Sequence, residues 1–309
     1  MTKTLTIVSC LYNEEKALPI FYAELKDVVS KIDASKYTVN ILFLNNCSTD
    51  RSLEMLKEIA DKDSSVNYLT LTRNFGYQGS LLAGLNTVKS DLVFICDSDG
   101  EDPPHLLLDF LPLYEKGHRI VYGERVEREE SAFMVFLRKV FYRVLKFFSD
   151  TDIILDMAEY SLFDKTVLKN ILNNSNTFPF IRAELAYVGY NPVGVKYKRR
   201  QRLAGKSNYN FYRMYIFAIA GILTTSTFPM RISAYMMPFL MLFDIVALLF
   251  HIVPLNRLIM LNLMLLIIAT TMVNLYIARI YKNAIGRPVF IIDYTNSRIS
   301  WKPNAESES

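Results

Sequence analysis

Cysteine and tryptophan are scarce in this chain of 309 residues, which has three of the former, Cys10, Cys47 and Cys96, and one of the latter, Trp301. The cysteines stand apart in apolar or turn contexts, with neither a pairing nor a zinc-ligand spacing. That excludes a disulfide scaffold and a zinc module, and suits reduced thiols on a cytosolic face. Excess charge of one sign is lacking as well. With 35 Lys and Arg against 31 Asp and Glu, the formal net charge is +4, too small for a nucleic-acid-binding footprint. The opening "MTKTLTIVSC" has no extended apolar run, so no signal peptide is expected there. Internal repeats and low-complexity tracts are missing, and only the final "NAESES" reads as disordered.

What the chain does have is two long apolar segments, Ile232 to Val253 and Leu258 to Ile280. Each is long enough to cross a hydrocarbon core of ~30 Å. Between them "PLNR" leaves room only for a tight hairpin. Lys196, Lys198, Arg199, Arg200, Arg202, Lys206 and Arg213 precede the pair and Arg279, Lys282 and Arg287 follow it, whereas the hairpin holds only Arg257. The positive-inside rule then puts both termini in the cytoplasm. A multi-pass protein of a bacterial inner membrane is the expectation. Asp244 lies mid-span, where a carboxylate facing lipid is costly, so it should face the other helix or a partner chain, which leaves a homo-oligomer open.

From Leu5 to Val126, short β-prone runs ("LTIVSCLYN", "VNILFLNN", "VNYLTLT", "LVFICDSD", "RIVYGERV") alternate with helical stretches ("EKALPIFYAELKDVVSKI", "DRSLEMLKEIADK", "YQGSLLAGLNTVK", "PHLLLDFLPLYEKG"). That alternation predicts an α/β fold with a mostly parallel sheet and helices on both faces. Ser131 to Phe148 reads as a basic, aromatic helix, either core-facing or lying at the membrane interface. The expected division is a catalytic domain over 1–208, a juxtamembrane helix over 209–231, a transmembrane hairpin over 232–282 and a cytoplasmic tail over 283–309.

One strand-like run ends abruptly in acid: "VFICDSDGEDPPHL" carries Asp97, Asp99, Glu101 and Asp102. Like charges this close need a compensating cation, a proton or full exposure. A D-x-D at a strand end lets two carboxylates share a divalent cation, and hard oxygens suit Mg²⁺ or Mn²⁺ bridging to substrate phosphates. Asp102, just before Pro103 and Pro104, reads as a turn cap.

Together with "SCLYNEE", "NCSTD", "RNFGYQGSLLAGL", "VYGERVER", "DMAEYSLFDK" and "RQRLAGKSNY", that acidic run resembles, in order and spacing, family 2 glycosyltransferases of the polyprenyl-phosphate type. The resemblance covers nearly the whole chain and implies a GT-A-like fold followed by membrane helices. It implies that Tyr12, Asn13, Glu15, Asn45, Asn46, Asp50, Arg73, Gly76, Asp97 and Ser98 bind a nucleotide-diphosphate sugar, UDP-linked ahead of GDP-linked. Asp97, Asp99 and Glu101 would hold the metal, with Asp99 and Asp156 catalytic. Arg125, Arg128, Arg138, Arg202, Lys206 and Ser207 would bind the phosphate of a polyprenyl phosphate acceptor. Glu101 stands where the family commonly has Gln, "NNCSTD" replaces D-D-G-S-x-D, and "DMAEYSL" puts Ala158 and Ser161 at the Gly and Arg of D-x-G-x-F-R-L.

The implied activity is inverting sugar transfer to a lipid phosphate for cell-envelope glycans. Two alternatives stand beside it. A processive polysaccharide synthase would carry Q-x-x-R-W, which is absent, and would need more than two spans. A membrane-tethered scaffold that keeps the fold without turnover would be consistent with the substituted motifs.

Overall fold

The computed structural model describes residues 2–127, 143, 154, 157–174, 179–203 and 226–301. The expected interfacial helix over 131–148 and most of the juxtamembrane stretch fall outside these residues.

Among the described residues seven strands form one sheet: β1 (Lys3–Leu11), β2 (Tyr37–Asn45), β3 (Val66–Thr70), β4 (Leu92–Ile95), β5 (Ile120–Glu127), β6 (Met157–Asp164) and β7 (Val193–Lys198). Their spatial order is β3-β2-β1-β4-β6-β5-β7. The pairs β1/β2, β1/β4, β2/β3 and β5/β7 are parallel, while β6 runs antiparallel to both β4 and β5. The helices are α1 (Leu18–Ser30), α2 (Ser52–Lys62), α3 (Gly76–Thr87), α4 (Leu107–Glu115), α5 (Lys165–Leu172) and α6 (Ile181–Tyr187).

Period-two alternation explains how one sheet serves two cores. In β1, Leu5 and Ile7 join the core beneath α1, α2 and α4, whereas Val8 joins the opposite core beneath α3, α5 and α6. The same division holds in β4, with Leu92 and Phe94 on one side and Val93 and Ile95 on the other. Strands covered on both faces read as continuous apolar runs, which is how these appear in the sequence. The strand β6 was not anticipated as one. Its buried run, including Tyr160, Leu162 and Phe163, is interrupted by Glu159 and Ser161, which blurs the apolar pattern.

The C-terminal stretch also departs from expectation. Described residues 288–301 belong to the same compact unit as the sheet. Tyr68 and Arg298 pair antiparallel, each amide donating to the other's carbonyl at 2.9 and 2.8 Å, and Leu71 bridges Ile292. This strap covers the outer edge of β3, whose N–H and C=O groups would otherwise be unpaired there. Phe290, Ile292, Ile299 and Trp301 pack on the core beneath α3. Their irregular spacing carries no helix or strand period, so the sequence conceals them.

A second unit contains two apolar helices, α7 (Phe228–Leu249) and α8 (Leu255–Ile285), of 22 and 31 residues. Their large hydrophobic side chains are mostly exposed, Leu249 and Phe250 at 71% and 72%, which fits a membrane anchor and not a soluble core. The first helix begins inside the stretch assigned to the juxtamembrane segment. Pro254 immediately precedes α8, where its missing N–H costs nothing, and Gly286 ends that helix in the left-handed region at φ 65°. Asn262 Nδ2 donates to Asp244 Oδ2 at 2.9 Å, so Asp244 faces the other helix of its own chain.

Candidate active site

Parallel neighbours β2 and β4 flank β1, and the chain passes from β1 to β2 on one side and reaches β4 on the other. Ligands in such sheets bind at the carboxyl ends of the strands where the order reverses, here those of β1 and β4. The loops after β1, β2, β3 and β4 are tied together around this crevice.

After β1, Asn13 takes a left-handed conformation at φ 57°, which an asparagine tolerates better than most residues. Its Oδ1 accepts from Thr49 N at 2.7 Å and its own N–H donates to Ser48 Oγ at 3.1 Å. Glu15 N donates to Asp50 Oδ2 at 3.1 Å, while Asp50 Oδ1 accepts from Ser52 N at 3.0 Å at the start of α2. Asp50, expected at the nucleotide, therefore uses both oxygens to fasten backbone. Tyr12 is exposed beside these loops.

The amides of "NNCSTD" have a local explanation. Buried Asn45 accepts from Ser48 N at 3.0 Å. Asn46 Nδ2 donates to Asn74 Oδ1 at 3.0 Å while Asn46 Oδ1 accepts from Phe75 N at 2.9 Å. An ionised aspartate accepts but cannot donate, so only an amide makes both bonds. Arg73 stacks its guanidinium 3.9 Å from the centre of the Phe75 ring, and Gly76, at φ 77°, opens α3.

After β4 the acidic residues separate into two environments. Asp97 is half-buried and accepts from Tyr77 OH at 2.8 Å. Burial first, then the charges of Asp102 and Asp99, push its carboxyl well above the usual carboxylate range. Among the described residues no cationic side chain pairs with it. Ser98 Oγ donates to Cys10 O at 2.8 Å and joins the tips of β4 and β1.

Asp99 has the opposite surroundings. Its Oδ1 accepts from Glu101 N at 3.0 Å and its Oδ2 accepts from Arg202 at 3.2 and 3.3 Å. Arg202 also lies 3.5 Å from Glu14 and 3.8 Å from Glu101, and Arg199 pairs with Glu101. The backbone closes the arrangement, with Arg200 N donating to Glu101 O at 2.9 Å and Leu203 N to Asp99 O at 3.0 Å. Gly100, at φ 74°, has the Leu203 side chain where a Cβ would stand. Arg202, expected at the acceptor phosphate, thus supplies part of the positive charge that the acidic tip requires.

Asp102 and Arg125 are partners in the structure. Asp102 is not a simple turn cap: it is 1% exposed, accepts from Arg125 at 2.8 Å and Tyr197 OH at 2.5 Å, and lies 3.7 Å from Arg199. Arg125, expected at the acceptor phosphate, is largely buried and spends its guanidinium on Asp102 and Tyr197. A buried arginine must be paired, and its partner is this carboxylate.

The structure also brings in residues that sequence reasoning did not single out. Extending the antiparallel register Ile95↔Ser161 carries Glu159 opposite Asp97. Gln78 Nε2 donates to Glu159 Oε1 at 2.6 Å, Gln78 Oε1 accepts from Ile181 N at 3.1 Å, and Arg182 lies 3.7 Å from Glu159. The adjacent Tyr77 and Gln78 each grip one carboxylate. Only their position inside "RNFGYQGSLLAGL" could have pointed to them.

Hard carboxylate oxygens on Asp97 and Asp99, with Asp97 lacking a cationic partner among the described residues, fit Mg²⁺ or Mn²⁺. The expected trio is not assembled. Among the described residues no three His, Cys, Asp or Glu side chains converge as a metal centre, and Glu101 is engaged by Arg199. Such cations usually complete their shell with water and substrate phosphate, so two protein ligands suffice. Arg128, Arg138, Asp156, Lys206 and Ser207 lie outside the described residues.

The family model for glycosyl transferase family 2 matches residues 6–172, which carry most of β1, all of β2 to β6 and every carboxylate of this site. The chain belongs to glycosyl transferase family 2. This family 2 glycosyltransferase is 32% identical over 301 residues to "Uncharacterized glycosyltransferase YkcC" of Bacillus subtilis (strain 168), covering 93% of this chain and 92% of the relative. It is 30% identical over 234 residues to the "Prophage bactoprenol glucosyl transferase homolog" of Escherichia coli (strain K12), covering 75% of each. Among solved structures, it aligns at a TM-score of 0.45 and 18% identity with the UDP complex of glucosyl-3-phosphoglycerate synthase from Mycobacterium tuberculosis, covering 72% of this chain and 79% of that one. In the family 2 glycosyltransferase described here, both Arg199–Leu203 and the C-terminal strap lie beyond the matched segment.

Proposed function

We propose that the chain transfers a sugar from a nucleoside-diphosphate sugar, UDP-linked ahead of GDP-linked, to a polyprenyl phosphate at the cytoplasmic leaflet of a bacterial inner membrane. Undecaprenyl phosphate is the acceptor of choice, and the product serves cell-envelope glycans. The observation that carries this reading is the carboxylate pair Asp97 and Asp99 at the carboxyl end of β4, beside β1. The bactoprenol glucosyl transferase name of the relative and the two apolar helices support the choice of acceptor.

Asp97 and Asp99 would hold Mg²⁺ or Mn²⁺. When bound, that cation neutralises the diphosphate and stabilises it as a leaving group. Tyr12, Asn13, Arg73 and Asn74 form the nucleotide side of the crevice. Asn45, Asn46, Asp50, Gly76 and Ser98 shape its loops. The acceptor is a phosphate monoester, largely dianionic at neutral pH with a second pKa of ~6, so it needs little help from a base. It needs cationic positioning, for which Arg202, with Arg128, Arg138, Lys206 and Ser207 from the resemblance, is available. An acceptor oxygen forms a bond to the anomeric carbon as the bond to the diphosphate breaks, inverting the centre. Asp156, from the resemblance, orients the nucleophile or stabilises positive charge on the sugar. The catalytic domain and both termini lie on the cytoplasmic side in this reading, with residues 288–301 counted as part of that domain.

The test is purified protein in detergent with short-chain polyprenyl phosphate, a panel of UDP- and GDP-sugars, and Mg²⁺ or Mn²⁺. A glycolipid formed from one donor and lost in both Asp97→Asn and Asp99→Asn is the expected result. No product from any donor, together with no metal or nucleotide binding, would overturn the reading in favour of a non-catalytic scaffold.

A further inference from the structure

We infer that the C-terminal strap, Val289 to Trp301, is a positioning element of the donor site. The inference rests on the donor site proposed above and concerns residues outside the segment matched by the family.

The strap holds the nucleotide-side loop at its root. Thr72 follows β3, and its N–H donates to Ile291 O at 3.0 Å, next to the Leu71–Ile292 bridge. Immediately beyond are Arg73 and Asn74, the latter already tied to Asn46. One end of this loop is thus fixed by the strap and the other by α3. Asp293 N donates to Thr70 O at 2.8 Å and Ser297 Oγ accepts from Thr70 N at 2.8 Å, so the last strand residue is gripped from both its polar groups.

The strap also braces α3 at both ends. Near its start, a Cβ on Gly79 would meet Phe75 Cβ at 3.0 Å and Val289 O at 3.4 Å, so helix, loop and strap backbone approach closely at this glycine. Trp301 Nε1 donates to Thr87 O at 2.7 Å, the last residue of the helix. The first turn of that helix holds Tyr77 and Gln78, which bond Asp97 and Glu159. A shift of α3 would therefore move the donor loop and the grip on a metal-binding carboxylate together. Misplacements of about 1 Å at such groups cost up to about 100-fold in function.

The experiment uses the full chain in detergent and two variants, Trp301→Phe and the double substitution Ile292→Ala with Trp301→Ala. UDP and GDP affinities are measured by calorimetry with Mg²⁺ present, well below the thermal midpoint of each protein, alongside amide hydrogen exchange. The double variant should bind nucleotide about tenfold more weakly, a loss of about 1.4 kcal/mol. Exchange should accelerate at Thr72 to Gly76 while the central amides of β1 stay protected. Trp301→Phe, which keeps an aromatic ring but removes the bond to Thr87 and part of the indole packing, should show the same trend with a loss of about threefold. If the parent binds nucleotide and both variants bind it within twofold of the parent, the inference is wrong and the proposed function stands. If the parent binds neither UDP nor GDP, the proposed donor site fails and the strap's role in it fails with it.

Discussion

Arg125 donates to Asp102 Oδ2 at 2.8 Å in the interior of the domain, with the carboxylate 1% exposed and Tyr197 OH bonded to its other oxygen. A buried pair of this kind matters most when half of it is removed. Arg125→Ala should lower stability by about 3–5 kcal/mol because it strands a buried charge. Replacing Arg125 by Met and Asp102 by Leu together should recover most of that loss, as read by thermal denaturation of the purified protein. Equal destabilisation by the single and double variants would show that the pair is a net stabiliser.

Tyr77→Phe removes one hydrogen bond to Asp97 and little else. Losing a hydrogen bond of this kind costs about 0.5–1.5 kcal/mol. Mn²⁺ affinity, followed by electron paramagnetic resonance, should fall about tenfold with the fold intact. Unchanged affinity would show that the Tyr77 bond does not set Asp97 for metal binding.

Glu101→Gln separates two roles for that side chain. Since Glu101 is paired with Arg199 and does not converge with Asp97 and Asp99, Mn²⁺ affinity should change by less than about threefold. A loss as large as that of Asp99→Asn would restore Glu101 as a ligand.

Acid stability should depend on Asp91. Its carboxylate accepts from Lys165 Nζ at 2.8 Å and from Thr4 N and Oγ1 at 3.0 Å, and the Lys165 bond first, then the Thr4 amide, hold its pKa at about 2. The folded value lies below the unfolded value of about 3.9, so this contribution is full above pH 4 and is lost as pH falls toward 2. With the side chain 33% exposed, solvent screening reduces it to about 1 kcal/mol. Asp91→Asn should flatten the acid limb of a stability-versus-pH profile over that window, and an unaltered limb would exclude the residue.

In the hairpin, Asn262→Leu removes the partner of Asp244 across α7 and α8. Inter-helical hydrogen bonds in membranes are worth about 0.6 kcal/mol and up to about 2. The variant should loosen the helix pair, visible as a longer donor–acceptor distance in an energy-transfer measurement across it, while Asn262→Gln should preserve the shorter one. A distance unchanged by Asn262→Leu would show that the pair adds nothing to helix association.

Much of this was legible in the sequence, and the parts that were not share a cause. The strands β1 to β5, the helices α1 to α4 and the two apolar helices follow local periods of hydrophobicity, which a single chain displays directly. The position of Asp97 and Asp99 just after a strand was readable because both stand within one short segment. Asp102 could not be matched to Arg125 and Tyr197 in this way, because the sheet order that unites β5 and β7 near the end of β4 is a property of tertiary packing. Glu159 was hidden for the same reason, since only the β4–β6 register sets it opposite Asp97. Asn46 illustrates a different limit: its replacement of a family carboxylate was visible, but the reason, a donor needed by Asn74, required the folded loops.

The edge of β3 is completed by residues near the very end of the chain. During synthesis the outer edge of β3 therefore stays unpaired until both apolar helices have been made. Unpaired edges are sites of wrong association, and domains formed during translation are exposed for as long as they remain open. The order of events is thus built into the topology: both apolar helices are made before the strap can close the sheet edge.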